Sequence, residues 1–252
     1  MKKIIVAIFC SLVSLGALAA GGPSVPMDHI EPDITDQESL QKGLALFTNY
    51  CFGCHSLKYA RYERAADDLG IPHDIYVENL ISGDAKIGEL MSISMPEDQA
   101  KIWFGSPPPD LTLSARLRGP DWLYNYLRGF YADAKRPYGV NNTVFKDVGM
   151  PHVLAELQGV CKDAPHLGVV PEVDPLSGKI VKSSGCDEFS TPGTLSTEEY
   201  DEAIYDLVNF LEYVGEPSRL ESIGIGRMVL IFLAFLFVFA YFLNKEYWRD
   251  IH

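Results

Sequence analysis

Cys51-Phe52-Gly53-Cys54-His55 sets two thiols three positions apart, with an imidazole immediately after the second. On a helical turn, thiols at that spacing reach the two vinyl groups of one haem, and the next residue brings an imidazole beneath the iron. Two other chemistries use paired cysteines. A thioredoxin-like redox pair needs a strand before it in a βαβ setting, whereas the residues before Cys51 carry a helical apolar pattern. A zinc site needs four ligands, and the other candidates, Cys161 and Cys186, lack a paired spacing and stand far along the chain. Covalent attachment of one haem, with His55 as proximal iron ligand, is the chemistry the motif predicts.

A sixth iron ligand is the next requirement, and a thioether there raises the potential. Outside the two hydrophobic segments the methionines are Met27, Met91, Met95 and Met150. Met95 and Met150 each precede proline in a sequence able to present a loop side chain, and Met150 lies within a long irregular stretch. His73, His152 and His166 are further candidates. Haem propionates call for cations or hydrogen-bond donors; Arg116, Arg118, Arg128, Lys135 and Arg136 are available, each also readable as a solvated surface charge. Cys161 and Cys186, in an oxidising compartment, form a disulfide more readily than two free thiols.

The elements that must position these groups read as mainly α. An extended arm rich in Gly and Pro leads to a helix starting near Thr35, where Thr35 and Glu38 make a capping-box pattern. Leu40, Leu44 and Phe47 fall on one face of it, and it runs into the cysteine motif. Further helices are predicted over 62–69, 75–79, 96–103 (capped by Ser94) and 121–130. Trp122, Leu123, Tyr126 and Phe130 form an aromatic face on the last of these. A Pro-rich run at 106–110 is extended. Residues 137–192 show little periodicity, and strand signals are sparse. A clear amphipathic helix follows over 196–214, with Ser196 and Glu199 as a capping box.

Both ends are hydrophobic. Lys2 and Lys3 before an apolar run and Ala17-Leu18-Ala19 have the layout of a signal peptide, assigned to residues 1–20. Residues 228–243 are uncharged, and the stretch 223–244 is long enough for one transmembrane helix. Lys245, Tyr247, Trp248 and Arg249 follow it in a short cytoplasmic tail, 245–252. This leaves residues 21–222 as one exported domain, large enough to bury a core. The formal charge of −13 argues against a nucleic-acid partner; it suits steering toward a basic protein and equally suits solubility.

The order of Cys51-Phe52-Gly53-Cys54-His55-Ser56-Leu57, Pro108-Pro109-Asp110-Leu111, Ala115-Arg116 before Asp121-Trp122, Gly149-Met150-Pro151 and Glu216-Pro217 before the anchor resembles cytochrome c1. That family is the c-type haem subunit of the cytochrome bc1 complex, and the resemblance covers nearly the whole mature chain. It implies a cytochrome c-like haem domain with long loops, holding a single low-spin haem c ligated by His55 and Met150. Pro109 then belongs to the haem-contacting segment, Arg116 pairs with a propionate, and Met95 has only a packing role. A Cys161–Cys186 bridge is similar to one in some bacterial members.

The resemblance further implies electron transfer from a Rieske iron-sulfur protein to a cytochrome c, docking on cytochrome b, and a dimeric complex of the inner membrane with this domain in the periplasm. The chain alone is then a redox subunit, not an enzyme. Two other classes are a free-standing tethered cytochrome c serving an oxidase, and a haem sensor or peroxidase with an open sixth position.

Overall fold

The structure, a computed structural model, describes residues 25–173 and 180–249. The signal peptide assigned to residues 1–20 and the end of the tail lie outside the described residues.

Two helices make the frame. Helix α1, Gln37–Leu46, is capped by Asp36, whose carboxylate accepts the N–H groups of Glu38 and Ser39 at 3.1 and 3.2 Å. The predicted Thr35 cap is not used, because its hydroxyl donates to Asp33 at 2.6 Å. A carboxylate one residue later satisfies the orphan amides and also complements the positive helix end. Helix α1 continues as a π-helical turn, Phe47–Cys51. Near the other end of the chain, α8 (Thr197–Gly215) has the predicted capping box, with Ser196 and Glu199 bonding each other's backbone at 3.2 and 2.9 Å.

Helices α1 and α8 cross at Gly43, where an added Cβ would collide with the Asp206 carbonyl and sit 2.7 Å from Phe210 Cβ. The polar residues in this crossing are paired with each other. Ser39 donates to Asp206 at 2.6 Å, and Asn209 donates to Asp33 O and to Ser39 Oγ. Around them Leu40, Leu44, Phe47, Ile204, Leu207 and Phe210 are almost fully buried, each contributing about 1.5–3 kcal/mol by leaving water. The apolar spacing read from the sequence is therefore the core-facing stripe of both helices.

The remaining elements wrap this pair. Strand β1 (Leu57–Arg61) pairs antiparallel with β2 (Leu90–Met91), with α2 (Tyr62–Asp68) and α3 (His73–Leu80) between them. Helix α4, Glu97–Phe104, starts after Pro96 with no side-chain cap, so Ser94 is not used. The short α5, Ser114–Arg118, leads to α6, Pro120–Arg128, with proline in its first turn. Phe130 lies beyond this helix, in strand β3 (Phe130–Ala132).

The irregular region contains more structure than its sequence pattern suggests. Strands β3, β4 (Val140–Asn142), β5 (Gly159–Cys161) and β8 (Phe189–Pro192) form a mixed sheet in the order β4-β3-β5-β8. Strands β3 and β5 run parallel, and the short α7 (Ala155–Gln158) precedes β5. Strands β6 (Glu172–Val173) and β7 (Ile180–Lys182) make a separate ribbon. The disulfide Cys161–Cys186, with Cα atoms 5.5 Å apart, ties β5 to the segment before β8.

Helix α9, Arg219–Tyr247, has 29 residues and a mean hydropathy of 2.5 over its most apolar window, none of it buried. At about 1.5 Å per residue it exceeds the roughly 30 Å of a bilayer core. It starts before residue 223, because the chain turns at Glu216-Pro217 and resumes helix at once. Its base is tied to the domain by Arg219–Glu212 and Arg64–Glu221 pairs, both 3.2 Å.

Candidate functional site

The π-helical turn presents the cysteine motif. Phe52 N–H reaches back five residues to Phe47 O at 2.9 Å, and Cys54 and His55 N–H both bond Cys51 O. The widened turn winds Cys51, Cys54 and His55 around one end of α1, a use that π-turns often have at functional sites. Both thiols are free. Burial pushes the Cys51 thiol up to about 12.

His55 is 9% exposed, and its Nδ1 lies 2.7 Å from the carbonyl oxygen of Pro109. A carbonyl only accepts, so Nδ1 carries the proton and Nε2 is left as the free lone pair. Burial holds the imidazole below its ordinary pKa, against the opposing pull of the Pro109 bond and Asp110. The Pro109 carbonyl is itself fixed. Asp110 accepts the N–H groups of Lys58 at 2.6 Å and Thr112 at 3.1 Å, and Leu111 N–H donates to Ser56 O at 3.0 Å.

Cys51, Cys54, His55 and Pro109 line a cavity of about 500 Å³, and Met150 and Arg118 also line it. The Tyr126 hydroxyl donates to Met150 Sδ at 3.4 Å. Leu123 and Leu127 of α6, with Leu207 and Leu211 of α8, make much of the rest apolar. This size is within the roughly 300–1,000 Å³ of cofactor sites. Two free thiols, one neutral imidazole with a free Nε2 and one thioether in an apolar cavity fit a covalently attached haem and its iron. Among the described residues, no group of three or more His, Cys, Asp or Glu side chains is placed to hold a bare metal ion.

Other sequence candidates are placed elsewhere. The structure does not bring Arg116 to the cavity: its guanidinium is 3.5 Å from Glu216 and its stem runs beside Gly215. Arg118 lines the cavity instead, 5.0 Å over the Trp122 ring. Residues two apart on a helix face different sides, and α5 sets the second arginine, itself exposed, at the edge of the cavity. Arg128 is buried in an ion pair, Lys135 is exposed, and Arg136 bonds the carbonyls of Asp147 and Val148.

Met27, Met91 and Met95 do not line the cavity, and Met91 is core. His73 and His166 pair with Asp67 and Asp187. His152 donates from Nε2 to Gly159 O and stacks on Phe130. Tyr126 was legible only as part of an aromatic face. No local signal marked Asn142, which organises the loop leading to Met150.

No protein-family model matches the chain. It is 49% identical over 259 residues to a cytochrome c1 of Allochromatium vinosum, covering 100% of both chains. A Nitrosomonas europaea protein described as ammonia monooxygenase gamma subunit is 41% identical, with 92% of each chain covered. A Rhodobacter capsulatus cytochrome c1 is 25% identical over 98% of this chain and 97% of its own. A solved chain from a hyperthermophilic respiratory Complex III covers 100% of this chain and 98% of its own at 19% identity and TM-score 0.43. Full-length identity at the 49% level means that the chain belongs to the cytochrome c1 family.

Proposed function

We propose that this chain is the haem-bearing electron-transfer subunit of a quinol–cytochrome c oxidoreductase, the cytochrome bc1 complex. One haem c is joined to Cys51 and Cys54 and ligated by His55 and Met150. The observation that carries this reading is the convergence of those four side chains on one apolar cavity, with His55 Nδ1 committed to Pro109. When bound, the haem supplies a one-electron redox centre.

The chain's own residues set that centre's properties. His55 offers Nε2 from a ring whose orientation and tautomer are held by Pro109. Met150 offers a thioether, which favours the reduced iron, and the Tyr126 hydroxyl restrains the sulfur. Arg118 faces the cavity and is the cation suited to a propionate, in place of Arg116. The apolar lining from α6 and α8 excludes water, which raises the cost of added charge and so favours the less charged reduced state.

In this reading the electron arrives from a Rieske iron-sulfur protein and leaves to a cytochrome c. Helix α9 anchors the chain in the inner membrane beside cytochrome b in a dimeric complex, with the haem domain on the periplasmic side. The full-length likeness to a cytochrome c1 and the 29-residue apolar helix support this. The Nitrosomonas europaea relative is described as a subunit of another enzyme, so the identity of the partners is what an experiment must read.

The test is affinity purification of the full chain from membranes, with identification of its partners and spectra of wild type and Met150→Leu. The expected result is co-purification of cytochrome b and an iron-sulfur protein. Ferric wild type should show the weak red band of sulfur–iron ligation; Met150→Leu should lose it and lower the midpoint. A chain that purifies alone, or a band that survives Met150→Leu, sinks the corresponding part of the reading.

A further inference from the structure

Met150 sits at the end of a loop with no regular structure of its own, yet a ligand must be held closely. The loop from residue 143 to 148 makes its local bonds mainly to side chains. Asn142, 1% exposed at the end of β4, accepts the N–H groups of Val144 and Phe145 at 2.9 and 3.1 Å. Its Nδ2 donates to Tyr126 O at 2.8 Å. Two amide donors facing one end and a carbonyl facing the other allow a single orientation of the side-chain amide.

Asn142 therefore touches both structures that meet at Met150. One is the loop that carries the methionine; the other is the α6 residue whose hydroxyl donates to Met150 Sδ. A second clamp supports it. Arg136 donates to Asp147 O and Val148 O at 2.7 and 3.1 Å, holding Asp147 at a φ of 62°. That left-handed conformation is uncommon outside glycine and needs surrounding bonds to persist.

We infer that Asn142, with Arg136 behind it, is a positioning residue for the Met150 ligand: it joins the ligand loop to Tyr126 and keeps the sulfur over the cavity. The inference rests on the haem reading above. A purely structural role for a buried asparagine is the competing account, and stability alone does not separate the two.

The test compares Asn142→Ala with Asn209→Ala in the full-length holoprotein. Asn209 is equally buried and bonds Asp33 and Ser39 in the α1–α8 crossing, away from the cavity. Readouts are the red ferric band, the midpoint potential and carbon monoxide binding to the ferrous protein, which requires the sulfur to leave. Losing a network of buried hydrogen bonds should make Asn142→Ala bind carbon monoxide about tenfold more readily, with a weakened band and lower midpoint. Asn209→Ala should melt earlier while keeping all three.

If Asn142→Ala does not accumulate, Arg136→Lys keeps the charge but loses the fork, and should move the same readouts in the same direction. Wild-type ligation in whichever variant is obtained overturns the inference, while loss of the band in Met150→Leu leaves the haem reading standing. A wild-type protein without the band overturns both.

Discussion

The Nδ1 of His55 and the carbonyl oxygen of Pro109 lie 2.7 Å apart although 54 positions separate them in the chain. With haem bound as proposed, the bond would make the imidazole a more basic ligand, which stabilises ferric iron. Pro109→Gly keeps the carbonyl but frees the segment. It should cost about 0.4–1 kcal/mol of stability and raise the midpoint while the sulfur band persists. Potentiometric titration checks this, and an unmoved midpoint counts against it.

The ion pair that fixes α6 gives a larger expected effect. Arg128 is 5% exposed and donates two bonds to Asp201, at 2.6 and 2.8 Å, and one to Asp28 at 2.8 Å. Arg128→Met strands two partly buried carboxylates. The cost should be about 3 kcal/mol, at the low end for broken buried pairs because both acids keep some exposure. Chemical denaturation measures it, and adding Asp201→Asn should restore part of the loss.

Gly43→Ala tests the α1–α8 crossing. The added methyl meets the Asp206 carbonyl and Phe210 Cβ, so the helices must separate, at about 1–3 kcal/mol for overpacking. A melt of the detergent-solubilised protein should show an earlier transition. An unchanged midpoint of unfolding means that the helices are not in contact there.

The N-terminal arm should tighten on mild acidification. A hydrogen bond to Asp121 raises the His29 pKa from its ordinary 6.5, so the folded state binds the proton more strongly than the unfolded one. The contribution is full below pH 6.5 and is lost as pH rises through the folded value. Ile30 N–H, bonded to Asp121 Oδ1 at 2.9 Å, reports it. Its hydrogen-exchange protection, corrected for intrinsic rate, should fall from pH 6 to pH 8, and His29→Gln should remove the trend.

Some elements were legible because their signals are local. Thr197–Gly215 announces itself by a capping box and an apolar face, and Arg219–Tyr247 by continuous hydropathy. The sheet β4-β3-β5-β8 was not, because its strands are three or four residues long. That is too short for alternation to register, and Tyr131 meets Cys161 only after thirty positions of intervening chain. The two arginines of α5 are alike in sequence; the packing of one five-residue helix decides that Arg118 turns to the cavity and Arg116 to Glu216.

The sequence by itself determined the paired-thiol motif that predicts haem attachment, the helical frame and the long apolar helix, since each depends on residue types at short, regular spacing. Tertiary structure alone decided what surrounds those residues: the Pro109 carbonyl on His55, the Tyr126 hydroxyl on Met150 and the Asn142 amide bracing the loop before Met150. The reason is that backbone groups carry no residue-specific signal, and contacts across tens of residues depend on how the helices and loops close on one another.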